Sequence, residues 1–416
     1  MSFLEDERFV LTMLHRLEIE NFYSIHDLQV IDLTIAANTP EEPGRLAPLW
    51  PGASEKAPKV VALFGPNASG KSTVLRALSF VKWFVKDSFS SPRGNRMPFD
   101  RFNSKEMLEA PTRLAVFLAG VEDIEAAGQE GAAQCRYSYE VVIGGTSGRQ
   151  IVEKEALHYW PSSASRKVRL FERDGTGDVV ASKAFGLTGY RQALEKVLRP
   201  DASVISTLAQ LEHPYSKLLW QTANLLISNI LIEKYDATDE AAIRHYAEHP
   251  EQVAMFNREI QRIDVGIREM RIEQGHNGPI ALFEHEGLAR PMPIIYESHG
   301  TRQFIRLFPF IFEALDAGGI AVLDELDATI HPLLLPEILR WFYDPIRNPH
   351  DAQLWMTCHT PSLLEELTKE EIFFCDKNYE GRTAVYGLRD IQSVRRNDNY
   401  YRKYLGGSFG AVPQIG

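Results

Sequence analysis

The sequence predicts an α/β fold: a parallel sheet with a glycine loop, joined by an antiparallel β subdomain and an inserted helical subdomain. Three observations predict it. "KVVALFGPNASGKSTVLRAL", residues 59–78, sets a glycine loop between an apolar run and a helical pattern. "GGIAVLDELDATIHP", residues 318–332, sets two carboxylates after a second apolar run. Between them, β-rich runs over residues 112–175 give way to helical spacing over residues 188–274.

Composition bounds the reading. The 416 residues suffice for one large α/β domain with an inserted subdomain, or for two domains. With 44% hydrophobic and 24% charged residues the chain is ordinary globular protein rather than disordered. No apolar run approaches the ~20 residues that span a bilayer, so no membrane partner is expected. The acidic start "MSFLEDERFV" has no signal-peptide core. The thiols Cys135, Cys358 and Cys375 are odd in number and lack metal-ligand spacing, which predicts a reduced, cytoplasmic setting. A net charge of −11 argues against a surface that grips nucleic acid everywhere, while leaving room for a local basic groove.

Along the chain, Leu17, Ile19 and Phe22 suggest a first strand, and Leu28, Val30 and Ile31 its hairpin partner. Residues 1–12 form an extension before it, and residues 37–58, rich in Pro, Gly and Ala, read as a loop. The β-branched run Lys59–Phe64 then reads as a buried parallel strand. Gly65, Pro66, Asn67, Ala68, Ser69, Gly70, Lys71, Ser72 and Thr73 carry the G-x-x-x-x-G-K-S loop. Its glycines let backbone N–H groups curl toward phosphate oxygens, and the helix that follows adds its positive dipole end. Lys71 supplies a point charge to β- and γ-phosphates, and the Ser72 hydroxyl is a Mg²⁺ ligand.

Runs at 112–119, 135–145, 151–160 and 167–175 are separated by turn residues and suggest an antiparallel meander. The expected division is residues 1–187 as the N-terminal half of the α/β domain, 188–277 as an inserted helical subdomain, 278–390 as the C-terminal half and 391–416 as a tail. No sustained heptad array marks a coiled-coil arm. The tail's Tyr400, Tyr401, Tyr404 and Phe409 suit either terminal packing or a docking surface.

The second half supplies the remaining chemistry. Ile320–Leu323 read as a strand that ends in Asp324, placed to hold Mg²⁺, and Glu325, placed to polarise an attacking water. Leu354, Trp355 and Met356 form another strand, which ends at Thr357, Cys358 and His359; the imidazole there can hydrogen-bond a γ-phosphate or water. Ser298 and Gly300 precede an amphipathic helix, a phosphate-suited start. One nucleotide already has its cradle, so a second such helix start suits the nucleotide of another subunit.

The order phosphate loop, S-x-G-T-R, "VLDELDATIHP" and "TCHTPSLL" resembles the ABC-type ATPase heads of chromosome-maintenance, recombination and break-repair proteins. The likeness is strongest to AAA-family ATP-binding proteins related to RecF and to the overcoming-lysogenization-defect (OLD) nucleases. It implies the ABC-type P-loop ATPase head, with ATP and Mg²⁺ as cofactors. It also implies a signature loop at Ser298–Arg302, a dimer-contacting D-loop at Leu326–Ala328 and a switch histidine at His359. "LHRLEIENFYSI" resembles the family's opening strand, and "YLGGSFGAVP" resembles the C-terminal end of phage-defence members such as PARIS and abortive-infection ATPases. The signature begins Ser-His-Gly rather than Leu-Ser-Gly-Gly, and the sequence does not place the glutamine loop, for which Phe102 and Asn103 are only candidates.

The resemblance implies an ATP-hydrolysing sensor and scaffold that forms ATP-sandwich dimers or larger homo-oligomers and controls a separate effector in anti-phage defence. The effector would be another chain, such as a TOPRIM-type nuclease, because residues after 390 are too few for such a module. A phage-encoded trigger and DNA are further partners it allows. The other reading is a repair or recombination ATPase that clamps duplex DNA.

Overall fold

The computed structural model describes residues 13–412 apart from 41, 130, 147, 236–237, 264–265, 329 and 331–333. The extension at residues 1–12 and the end of the tail lie outside the described residues.

A six-stranded sheet organises the head. Its order is Leu226–Ser228, Ile320–Leu323, Gln353–Thr357, Val60–Phe64, Ile372–Lys377 and Thr383–Gly387. The first five run parallel and the last turns back as a hairpin. Strand alternation sorts the side chains into two cores. Val61, Leu63, Val322, Trp355 and Phe373 face one core, with the phosphate-loop helix Lys71–Asp87. Val60, Ala62, Phe64, Leu323, Leu354 and Met356 face the other, with the helices His299–Ala317 and Leu335–Tyr343. A sheet covered on both faces needs apolar residues at successive positions, which is why these strands lack polar alternation.

The expected opening hairpin and meander merge into one seven-stranded antiparallel sheet. Its order is Val179–Ala181, Val168–Asp174, Arg149–Tyr159, Gln134–Thr146, Thr112–Val121, Leu14–Glu20 and Gln29–Asp32. Phe22 sits just past the first strand in a bridge to Ile25 and is fully buried. The phosphate-loop helix lies between the two large sheets, so Val74, Leu75, Leu78 and Val81 share a core with Leu14, Val116 and Tyr139.

Residues 188–277 contain the helices Arg191–Val197, Val204–Ala209, Pro214–Thr222, Asp239–Glu248 and Pro250–Ile263, but they are not helical throughout. Leu226–Ser228 is the edge strand of the parallel sheet, paired with Ile320–Val322. Three residues are too few to display a period. Ile267–Gly275 is also a strand, paired antiparallel with Gly278–His285. A register shift between Ile267 and Glu269 spaces the buried Ile267 and Met270 three apart, which imitates a helix. In the tail, Tyr400, Tyr404 and Phe409 are buried, and Tyr404 and Phe409 lie with ring centroids 5.5 and 5.7 Å from Phe374. Terminal packing is therefore their role, not docking. Among the described residues no helix is long and apolar enough to cross a membrane.

A buried polar joint fixes the antiparallel sheet to the end of the phosphate-loop helix. Glu155 accepts from Tyr139 Oη (2.9 Å), Ser203 Oγ (2.7 Å) and the Val204 N–H (2.8 Å). The Arg173 guanidinium lies 3.9 Å away and donates to the carbonyls of Ala202 and Arg199. Arg199 in turn donates to the carbonyls of Ser88, Phe89 and Ser91, just past the helix. Burial raises the Glu155 carboxyl pKa and lowers that of Arg173, so desolvation outweighs their mutual attraction. Glu155→Leu leaves a buried guanidinium and two hydroxyls without their acceptor. It is expected to lower unfolding free energy by about 3–5 kcal/mol, read by urea denaturation; Glu155→Gln, which keeps an acceptor, should cost less.

Candidate nucleotide site

The three central strands end side by side. Leu63 pairs with Thr357, and Met356 with Leu323, so the loops at 65–70, 324–325 and 358–359 leave from one edge. That edge is the carboxyl end of a parallel sheet, where α/β folds place their ligands.

The glycine loop takes conformations that side chains resist. Gly65 has φ 147° and Gly70 φ 104°. A Cβ on Gly70 would stand 2.4 Å from Thr383 Oγ1, and one on Gly65 would stand 2.2 Å from the Cys375 carbonyl oxygen. The loop is thus wedged between its helix and the neighbouring strand. Lys71 Nζ donates to the carbonyls of Gly65 (2.8 Å) and Pro66 (3.0 Å), curling the loop around its own ammonium. Burial lowers the Lys71 pKa, while Asp324 and Asp327 act to raise it.

Behind the loop, one carboxylate oxygen gathers three segments. Asp324 Oδ1 accepts from Ser72 Oγ at 2.9 Å and from Thr357 Oγ1 at 2.8 Å. Thr357 Oγ1 also accepts the Glu325 N–H at 2.7 Å, which holds Glu325 at its left-handed φ of 53°. Asn229 brackets the Asp324 backbone, accepting its N–H at 2.8 Å and donating to its carbonyl at 3.2 Å. Lys234 Nζ lies 3.2 Å from Glu325 Oε2.

A cleft of about 1030 Å³ opens in front. Asn67–Thr73, Glu325 and His359 line it, together with Phe102 and Asn103. Asp324 is buried behind Ser72. His359 is exposed in the cleft, and its N–H donates to Asp327 Oδ2 at 2.5 Å, as does that of Thr360. The structure therefore brings together the loop, both carboxylates and His359. Ser298 and Gly300 are not among the residues lining this cleft. Ser298 caps its helix by accepting the Thr301 N–H at 3.1 Å. Of the expected D-loop, Leu326 and Asp327 are buried and only Ala328 is exposed.

Sequence reasoning missed several residues. In the sequence Thr357 marks only a strand end. Asn21 accepts the Phe102 N–H at 3.0 Å, so the opening motif fixes one wall of the cleft. Ser24 bridges Thr73 and Thr383. Tyr23 stacks under Arg76, 5.2 Å from ring centroid to guanidinium, at the cleft wall.

These residues fit a nucleotide polyphosphate with its cation. The glycine cradle has no room for a Cβ, a buried ammonium stands in it, and a hydroxyl meets a carboxylate at its base. Among the described residues no group of three or more His, Cys, Asp or Glu could hold a metal by itself. Mg²⁺ suits such a site, since it is commonly held by one or two carboxylates plus substrate phosphates.

A family profile described as "AAA domain, putative AbiEii toxin, Type IV TA system" matches residues 60–365. The chain belongs to this family. The match spans every cleft segment from the phosphate-loop strand to His359. Solved structures similar to this AAA domain include an SMC head domain from Thermotoga maritima, at 14% identity and TM-score 0.40, covering 90% of this chain and 98% of that one. Another is an SMC head bound to the C-winged helix domain of ScpA, at 13% identity and TM-score 0.42, covering 90% and 97%. A third is an SMC head with an extended coiled coil bound to the C-terminal domain of ScpA, derived from Pyrococcus furiosus, at 13% identity and TM-score 0.43, covering 91% and 96%. No match exists among curated proteins.

Thr357→Val keeps the shape of the strand end but removes the hydroxyl that Asp324 and Glu325 share. It is expected to weaken Mg²⁺-dependent nucleotide binding by about 1.5–3 kcal/mol, the worth of a hydrogen bond to a charged group. Calorimetry with and without Mg²⁺ checks this, and binding without the metal should change less.

Proposed function

We propose that this AAA domain binds ATP with Mg²⁺ and hydrolyses it in a site completed by a second copy of the chain. The observation that carries this reading is the division of the expected site. The loop, Glu325 and His359 line one cleft, while Ser298 and Gly300 stand outside it. Ile295 and Tyr296, just before Ser298, are 64% and 68% exposed, an apolar surface suited to burial against another subunit.

In this reading Lys71 exchanges its carbonyl partners for phosphate oxygens. Ser72 and Asp324 would hold the cation, which would supply positive charge against that developing on the phosphates. Glu325, on its own strained φ, accepts a proton from the attacking water, and His359 donates to the γ-phosphate or that water. Ser298 and Gly300 of the second copy close over the nucleotide. Nucleotide state then governs a separate effector, and the setting is cytoplasmic anti-phage defence. What speaks for a defence setting is the family description, which names a putative toxin of a type IV toxin–antitoxin system.

Glu325→Gln should retain ATP and Mg²⁺ binding and lower hydrolysis by about a hundredfold or more. Hydrolysis at the parent rate would remove Glu325 from the role of base. For the composite site, Ser298→Arg should spare binding and abolish hydrolysis. Mixing it with Lys71→Ala subunits leaves one composite site with both lesions and the other with neither. Part of the ATPase rate should therefore return; no recovery, with subunit exchange demonstrated, would count against catalysis across an interface.

A further inference from the structure

A second cleft, of about 330 Å³, lies between the loop after the phosphate-loop helix, Gly148 with the start of the strand Arg149–Tyr159, and the segment at 196–201. Its charge is one-sided. Arg93, Arg96, Arg149, Lys196 and Arg199 line it, and Asp201 is the one acidic residue among the lining. This stands out in a chain of net charge −11. Arg199 is committed to the Asp201 carboxylate and to three backbone carbonyls. Arg96 pairs with Asp100. Arg93, Arg149 and Lys196 have no ion-pair partner among the described residues.

We propose that this cleft is a second anion site that takes a small polyphosphorylated ligand and is coupled to the nucleotide cleft through the Arg96–Asp100 pair. Arginine forks match phosphate oxygens, and unpaired cations held close together repel one another until an anion arrives. Three unpaired cations and Arg96 balance the charge of a di- or triphosphate group. The volume lies at the lower end of small-ligand pockets. The cations converge on a concavity walled by Val197, Leu198 and Pro200 rather than forming a stripe. A duplex would need such a stripe, and the acidic balance elsewhere opposes a long polyanion.

The coupling follows from position. Arg96 lines the second cleft, whereas Asp100 lines the nucleotide cleft beside Arg101, Phe102 and Asn103. An anion that captures Arg96 leaves the Asp100 carboxylate uncompensated at the nucleotide cleft. Arg101 ties the same loop to the antiparallel sheet through the carbonyls of Gly145 and Ile143, and to the short helix Lys105–Glu109 through that of Leu108.

The test uses the full chain and inorganic tripolyphosphate at low salt. The protein is first titrated with a non-hydrolysable ATP analogue and Mg²⁺, which reports on the nucleotide cleft alone. Tripolyphosphate is then titrated into the analogue-saturated protein. One equivalent should bind, and Arg93→Ala/Arg149→Ala, two exposed positions, should weaken it by about tenfold or more. In the free protein, tripolyphosphate should shift analogue affinity by about fivefold or more beyond the direct competition for the nucleotide cleft that Arg93→Ala/Arg149→Ala retains, and Arg96→Ala should abolish that extra shift while tripolyphosphate still binds, more weakly for the loss of one cation. No binding to the analogue-saturated protein, or equal binding by the double variant, would overturn the site. The absence of that extra shift would overturn the coupling. If a 20-base-pair duplex binds through Arg93 and Arg149 while tripolyphosphate does not, the cleft is a nucleic-acid surface and the small-ligand assignment falls. Should the analogue itself fail to bind, that failure belongs to the nucleotide reading. Tripolyphosphate binding sensitive to the double variant would still stand.

Discussion

The whole site hangs on one oxygen, Asp324 Oδ1. It accepts from Ser72 at the start of the phosphate-loop helix and from Thr357 at the end of the neighbouring strand. Those residues lie 252 and 33 positions away in the chain. Asp324 is nearly fully buried, so these donors offset the desolvation of its charge. The arrangement also links function to fold. Any ligand that draws Ser72 toward a cation must change the partners of the same oxygen that Thr357 uses, and Thr357 holds the Glu325 backbone. Occupancy of the cradle and orientation of Glu325 are therefore not independent.

The sheet extends this coupling in two directions. One of its faces packs on the phosphate-loop helix and the antiparallel lobe, the other on the helix that Ser298 starts. That helix is fixed in turn by Asp239, whose two oxygens take Arg302 and Arg306. The far end of the phosphate-loop helix is fixed by Arg199 and, through Ser203, by Glu155. Each anchor gives a charged side chain several partners: two guanidinium groups for Asp239, two hydroxyls and an N–H for Glu155, three carbonyls for Arg199. Such joints are stiff because every donor has one geometry and a displaced one leaves a buried group unpaired.

What the sequence made legible was local. The glycine loop, the Asp324–Glu325 strand end and His359 each carry their chemistry within a dozen residues, and each is brought to the same cleft. The antiparallel meander was legible for the same reason, since period-2 runs and turn residues are short-range signals. Asn229 and Lys234 were not legible. Their partners lie 95 and 91 positions away, and nothing in "SNILIEK" distinguishes a bracket for a carboxylate from a polar loop. The strand at Leu226–Ser228 was hidden because pairing, not composition, makes it a strand. The aromatic tail was ambiguous because the same rings serve a core and an interface; only the stack on Phe374 decides it.

Charge counted from composition is a weaker guide than charge located. The net value of −11 treats every arginine and lysine as available to a polyanion. Many are not. Arg101, Arg173 and Arg199 donate inward to backbone carbonyls, and Lys82 donates to the Leu226 carbonyl. These groups still carry their charge, but their donors are spent on holding loops and helix ends together. The surface left over is more acidic in its hydrogen-bonding capacity than the sum suggests. Against that background, the unpaired cations at Arg93, Arg149 and Lys196 mark the second cleft as a place where an anion gains both field and donors. The nucleotide cleft differs in kind. Its charge at Lys71 is buried and already bonded to the loop, so in the proposed reading a phosphate would replace internal carbonyls there and not be drawn in from a distance.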